Sequence, residues 1–155
     1  MPNQQISQLQ INGTTYDIAD ATARDSISQL GQCYKYVYPG VKSCPNNNWV
    51  ELTPGGISLS DGHYLFVIYC YSAGNATGHR HWKLDTSLPT GNQPTMGLSN
   101  DISAGSTNAI YTTYACVLHI TEGTTWSLYG FQNSGGALNM GGEFIAIKLN
   151  GLINV

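Results

Sequence analysis

The residues best suited to chemistry are two histidines in the run Gly78-His79-Arg80-His81-Trp82. On a strand, positions i and i+2 point to the same side, so the imidazoles of His79 and His81 converge. Imidazole nitrogen suits iron, nickel, zinc and copper. No third ligand lies near them in the sequence. The run also reads without a metal: the two histidines can face solvent while Trp82 faces the core. A third reading makes His79, His81 and Trp82 contacts for a bound ligand. The spacing leaves all three open, and no cofactor is expected.

Other chemistry is harder to build. His63 and His119 each stand alone among apolar neighbours, where a strand histidine usually serves the core or an interface. Asp61 and His63 would need a nearby serine to make a triad, and no Gly-x-Ser-x-Gly occurs. The nine carboxylates form no pair whose spacing suggests glycoside hydrolysis, although a fold can bring distant carboxylates together. Gly55-Gly56, Gly135-Gly136 and Gly141-Gly142 lack a following helix and lysine, which argues against phosphate binding. Asn75-Ala76-Thr77 fits the glycosylation formula but reads as a plain loop. We therefore expect no catalytic residue and no enzyme.

The elements that must position the histidines read as strands. Asp61-Gly62 is turn chemistry, and it is followed by nine residues from His63 to Tyr71 with hardly a polar side chain. The run is too short for a membrane helix and lacks helical period, so it reads as a central strand covered on both faces. One cover would be a second sheet and the other a neighbouring subunit, with Ile68 expected in that interface. Around it, Tyr34–Tyr38, Trp49–Leu52, Thr77–Leu84, Ala109–Ile120, Thr124–Phe131 and Glu143–Leu149 read as further strands. A short strand is expected at 95–98 inside the long polar stretch 85–108, and a Gly-rich loop over 132–142. Eight to ten short strands separated by turns predict an antiparallel sandwich or jelly roll.

The first thirty residues differ. Ser7 to Ile11 alternates like a half-buried strand, Asn12-Gly13 is a hairpin turn, and Thr14 to Ile18 returns. Asp20 then caps an expected helix over 21–30 that ends at Gly31. Ala23, Ile27 and Leu30 share one side of it, suiting either packing on the hairpin or a short oligomer stem. We divide the chain into a connector, 1–32, and a head domain, 33–155.

The totals bound the partners. In 155 residues charged side chains make up 10%, against about 25% in ordinary soluble domains. Ser, Thr, Asn, Gln and Gly take their place, as suits particle-bound β proteins and large subunit interfaces. Six Lys and Arg with a net charge of −3 argue against nucleic acid, which demands a basic patch. No run is long enough to insert in a membrane. The opening residues carry neither a basic nor an apolar signal region, so we expect exposure outside the cell by a route such as lysis. Cys33, Cys44, Cys70 and Cys116 match no zinc or redox spacing, and pairing of Cys33 with Cys44 stays open.

Two resemblances add context. Ile11-Asn12-Gly13-Thr14-Thr15-Tyr16-Asp17-Ile18-Ala19-Asp20-Ala21-Thr22-Ala23-Arg24-Asp25-Ser26-Ile27 resembles an N-terminal connector of structural proteins in tailed phages of Gram-positive bacteria. It implies a virion context and a virion protein as partner. Gly62-His63-Tyr64, His119-Ile120-Thr121-Glu122-Gly123, Trp126, Gly135-Gly136 and Phe144 to Leu149 resemble the jelly roll of complement globular heads and tumour necrosis factors. The sequence departs at Thr124, where that family has Asp, and in the stretch 85–108. The second resemblance implies a homotrimer with apolar sheet faces packed around an axis. In such a trimer His79 and His81 resemble the His-x-His pairs of phage fibres that hold an axial ion, which predicts one metal per three chains.

The expected fold class is thus an all-β, trimeric, antiparallel jelly-roll sandwich preceded by a small hairpin and short helix. The expected function is a non-enzymatic fibre tip or receptor-binding head on the virion, adhering to a host-surface glycan. The alternatives are a purely structural head fibre or decoration protein and, in another class, a small polysaccharide-degrading enzyme.

Overall fold

The computed structural model describes residues 8–11, 14–17, 31–37, 40–90, 99–103, 105, 107–121 and 123–149. Two strands, β1 (Gln8–Ile11) and β2 (Thr14–Asp17), pair antiparallel with Gln8 opposite Asp17. The expected turn at 12–13, the helix at 21–30 and the strand at 95–98 lie outside the described residues.

The head is built from β3 (Cys33–Tyr36), β4 (Lys42–Cys44), β5 (Asn48–Glu51), β6 (Ile57–Leu59), β7 (Gly62–Ser72), β8 (His79–Asp85), β9 (Ser99–Ser103), β10 (Ile110–Ile120), β11 (Thr124–Gln132) and β12 (Leu138–Leu149). They form two antiparallel sheets. One runs β10-β7-β12-β3, with β4 also on β12; the other runs β5-β11-β8-β9, with β6 also on β11. The two sheets face each other as a sandwich, and the described residues contain no helix. The short strands β4 and β6 carry too few residues for alternation to reveal them in the sequence.

β7 is central, as its composition predicts. Gly62 starts it at φ 146°, in the region that favours glycine. Tyr64, Phe66, Ile68, Cys70 and Ser72 then point into the sandwich and are buried. They meet Trp82 and Leu84 from β8, Leu128 from β11, and Met140, Phe144 and Ala146 from β12. Phe66 touches the rings of Trp126 and Phe144 at 5.8 and 6.3 Å between centroids. The second sheet therefore covers one face of β7. The other face, His63, Leu65, Val67, Tyr69 and Tyr71, points outward. Ile68 belongs to the core rather than to an outer interface, because alternation puts it on the side of Phe66.

The Gly-rich loop expected over 132–142 is shorter than that. β12 begins at Leu138, and Gly141 and Gly142 sit inside it. A side chain on Gly142 would meet Leu128 Cδ2 at 2.5 Å and the Tyr69 carbonyl at 2.7 Å. Here glycine marks close approach between the two sheets, not a turn.

Candidate functional site

The histidine run follows a loop tied down from within. Asn75 Oδ1 accepts a hydrogen bond from the Thr77 amide at 2.9 Å, a local turn. Gly78 enters the strand at φ 76° with its α-carbon against Asn133, where a side chain would collide. Asn133 Oδ1 accepts the His79 amide. Arg80 is fully buried and donates to the carbonyls of Thr77 at 2.5 Å and Asn75 at 2.8 Å. Burial lowers the Arg80 pKa from its ordinary value.

Strand alternation then sorts the run. Arg80, Trp82 and Leu84 point into the core. Trp82 is fully buried, so it does not share a face with the histidines and is not placed to contact a ligand beside them. His79 and His81 share the outer face of the second sheet, as their spacing predicts. Their sequence neighbourhood hides the third member of the cluster. In the β8–β9 register His81 stands opposite Asp101 and His79 opposite Ser103. Asp101 Oδ1 lies 3.4 Å from His79 Nδ1 and 3.4 Å from His81 Nε2. The three potential ligand atoms all lie within 4.8 Å of one another.

The two histidines differ in setting. The His79 side chain is 47% exposed and that of His81 8%. His81 meets Phe131 edge-on at 5.4 Å and Trp49 at 6.3 Å, and Trp49 packs on Phe131 at 5.4 Å. Burial holds the His81 pKa below its ordinary value; Asp101 acts the other way and His79 adds to the lowering. Two imidazole nitrogens and a carboxylate oxygen on paired strands are a donor set for a transition metal.

A second feature lies on the opposite sheet. Paired residues of β12, β7 and β10 form rows on its outer face. Two central rows, Ile145-Val67-Ala115 and Ile147-Leu65-Val117, are wholly aliphatic. A tyrosine row, Gly141-Tyr71-Tyr111, lies at one end. Tyr69, Tyr111 and Val117 are 45, 77 and 53% exposed. At the tyrosine end a cleft of about 390 Å³ opens between Gly40, Val41, Tyr69, Tyr71, Tyr111 and Glu143. At the other end His63 and His119 stack, with centroids 4.2 Å apart and planes 11° from parallel. They are thus partners rather than solitary residues, and Asp61 pairs with His119 at 3.6 Å. The four cysteines are all free thiols, so Cys33 and Cys44 do not pair.

No family model and no curated protein matches this sequence. Among solved structures the chain is similar to Eiger TNF from S. frugiperda, at 13% identity over 81% of this chain and 95% of that one, with a TM-score of 0.50. It is also similar to the C-terminal CBM6 of LamC from Zobellia galactanivorans, at 21% identity over 74% and 98% of the two chains and a TM-score of 0.35. A carbohydrate-binding module of Cellvibrio mixtus lichenase 5A, in complex with cellotriose, gives 16% identity over 80% and 94% and a TM-score of 0.32. The likeness to Eiger TNF concerns the fold alone, and the two modules overlap too loosely to add to it. The chain is an all-β antiparallel sandwich with a jelly-roll fold similar to that of a tumour necrosis factor.

Proposed function

We propose that this chain is the head of a homotrimeric, non-enzymatic phage surface protein, a fibre tip that adheres to a host-surface glycan. The observation that carries the assembly is the outer face of the β10-β7-β12 sheet. Antiparallel sandwiches normally turn polar residues outward along each strand. This face instead presents two adjacent aliphatic rows and, beyond the mixed row Glu143-Tyr69-Thr113, a tyrosine row, with Val117 and Tyr111 largely bare. An apolar patch of this kind marks an association surface. β10, eleven residues long, is also an edge strand whose far side pairs with nothing among the described residues, and exposed edges of that length call for cover. A second and third copy supply both covers when edge and face meet around a three-fold axis.

The phage setting rests on the connector-like string from Ile11 to Ile27, which would join the head to another virion protein. Adhesion is non-covalent. Three weak sites on one rigid head gain avidity because the second and third contacts form at high effective concentration.

Light scattering on the full chain tests the assembly. A mass of three chains is expected, and Val117→Asp should reduce it to one chain without loss of β signal. A monomeric wild type overturns the reading. Binding of labelled trimer to host cells, competed by soluble wall polysaccharide, tests adhesion. Absence of binding leaves a structural cap, and release of reducing ends from that polysaccharide makes the protein an enzyme.

A further inference from the structure

We infer that His79, His81 and Asp101 bind one divalent transition-metal ion per chain, of the zinc class, with an open coordination position toward solvent. The argument starts from ligand spacing. Zinc bonds to imidazole nitrogen and carboxylate oxygen are about 2.0–2.2 Å long, so a tetrahedral ion holds its ligands about 3.3–3.5 Å apart. Asp101 Oδ1 stands 3.4 Å from both ring nitrogens. That is longer than the roughly 2.7–3.2 Å of a hydrogen bond, so these contacts are spaced for a shared ion better than for each other. The remaining nitrogen–nitrogen edge, at most 4.8 Å, closes by a turn of the His79 side chain. That side chain is 47% exposed and free to adjust.

The frame around the ion is rigid where it must be. His81 is held by Phe131 and Trp49, and strand pairing sets it directly opposite Asp101. Asn133 holds the His79 backbone. Two imidazole nitrogens and one carboxylate disfavour calcium and magnesium, which want oxygen throughout. The donors suit zinc, nickel, copper or iron(II). Three protein ligands leave a fourth position, the arrangement of a site that exchanges water for another oxygen or nitrogen donor.

The site differs from an ion shared on a three-fold axis. All three ligands come from one chain, and they lie on the sheet opposite the apolar outer face. If copies pack through that face, the histidines point away from the axis. The stoichiometry expected is therefore one ion per chain, not one per three. The site itself does not require the trimer, so it stands or falls separately from that reading.

The test is calorimetric titration of zinc chloride into the metal-free, untagged full chain, with cobalt(II) as an optical probe. We expect one saturable ion per chain, visible absorption of tetrahedral cobalt, and a melting temperature that rises with zinc because only the folded chain holds the site. Asp101→Asn keeps the shape and should weaken binding by about tenfold or more, since even outer-shell changes cost about 10–100-fold. His79→Gln, at an exposed position, should do the same without unfolding the chain. No saturable binding, one ion per three chains, or unchanged affinity in both variants overturns the inference.

Discussion

Tyr71 and Tyr111 hold their rings 5.2 Å apart on the outer face of the β7 sheet, and Tyr111 leaves 77% of its surface in solvent. An aromatic so exposed contributes little to a single sandwich. In a trimer it would be buried, where truncating an aromatic anchor costs about 2 kcal/mol or more. Tyr111→Ser is therefore expected to leave the urea midpoint of the isolated chain nearly unchanged. It should weaken assembly by roughly 30-fold, the same 2 kcal/mol read as an equilibrium constant. A dilution series followed by light scattering reads this; mass curves that superimpose with wild type would place the assembly surface elsewhere.

Gly142 and Leu128 meet across the sandwich. Gly142 is not in a left-handed conformation, so Gly142→Ala costs only through contact. The added methyl would lie 2.5 Å from Leu128 Cδ2 and 2.7 Å from the Tyr69 carbonyl. Overpacking of this kind costs about 1–3 kcal/mol. Denaturant unfolding should show that loss. Combined with Leu128→Ala, the loss should be smaller than the sum of the two single losses, since the double change frees one of the two contacts. Strict additivity of the two losses would mean that the sheets do not touch there.

Gln132 is fully buried with all its hydrogen-bonding capacity engaged. Its Nε2 donates to the carbonyls of Cys44 and Gly136 at 2.8 Å each. Its Oε1 accepts from the Ser134 amide at 2.7 Å and hydroxyl at 2.5 Å. Gln132→Leu leaves these partners without it, and each buried polar group left unsatisfied costs about 1–3 kcal/mol. A loss of about 3 kcal/mol or more is expected, with hydrogen exchange quickening in β4 and in the turn after β11. Wild-type protection at those amides would show that water replaces the side chain at little cost.

The cysteines predict a graded reactivity. Cys33 is exposed. Burial pushes the Cys44 and Cys116 thiols up to about 11, and the Cys70 thiol well above its ordinary value. A thiol with a pKa of about 11 is only about 0.1% thiolate at pH 8, and the thiolate is the nucleophile. A disulfide reagent at pH 8 should therefore label one cysteine quickly in the native protein and four after unfolding. Half-buried Cys116 should join as pH rises toward 11. Peptide mapping that finds Cys44 or Cys70 labelled as fast as Cys33 would contradict their burial.

Much of the sandwich can be read without coordinates because alternation is local. A residue two positions along a strand returns to the same side whatever the rest of the chain does. That is enough to make Asp61 to Tyr71 the central strand and to put His79 and His81 together; the burial of Trp82 is what removes it from their side. Alternation does not say which face of β7 is inward. Ile68 and Val67 are equally apolar, and only packing against Leu84, Leu128 and Phe144 chooses Ile68 for the core.

Composition, turn residues and two-residue periodicity by themselves determine an all-β chain, short of charge, with an apolar strand at its centre. What they leave to the tertiary structure is register between strands far apart in the chain. Asp101 reaches the histidines because β9 pairs with β8 across an intervening stretch with no period of its own. His119 stacks on His63 because β10 and β7 run antiparallel with those two residues opposite. Position 142 has no room for a side chain because Leu128 approaches it from the other sheet. Such pairings depend on loop closure and on the fit of whole sheets, energies that no single stretch of sequence contains.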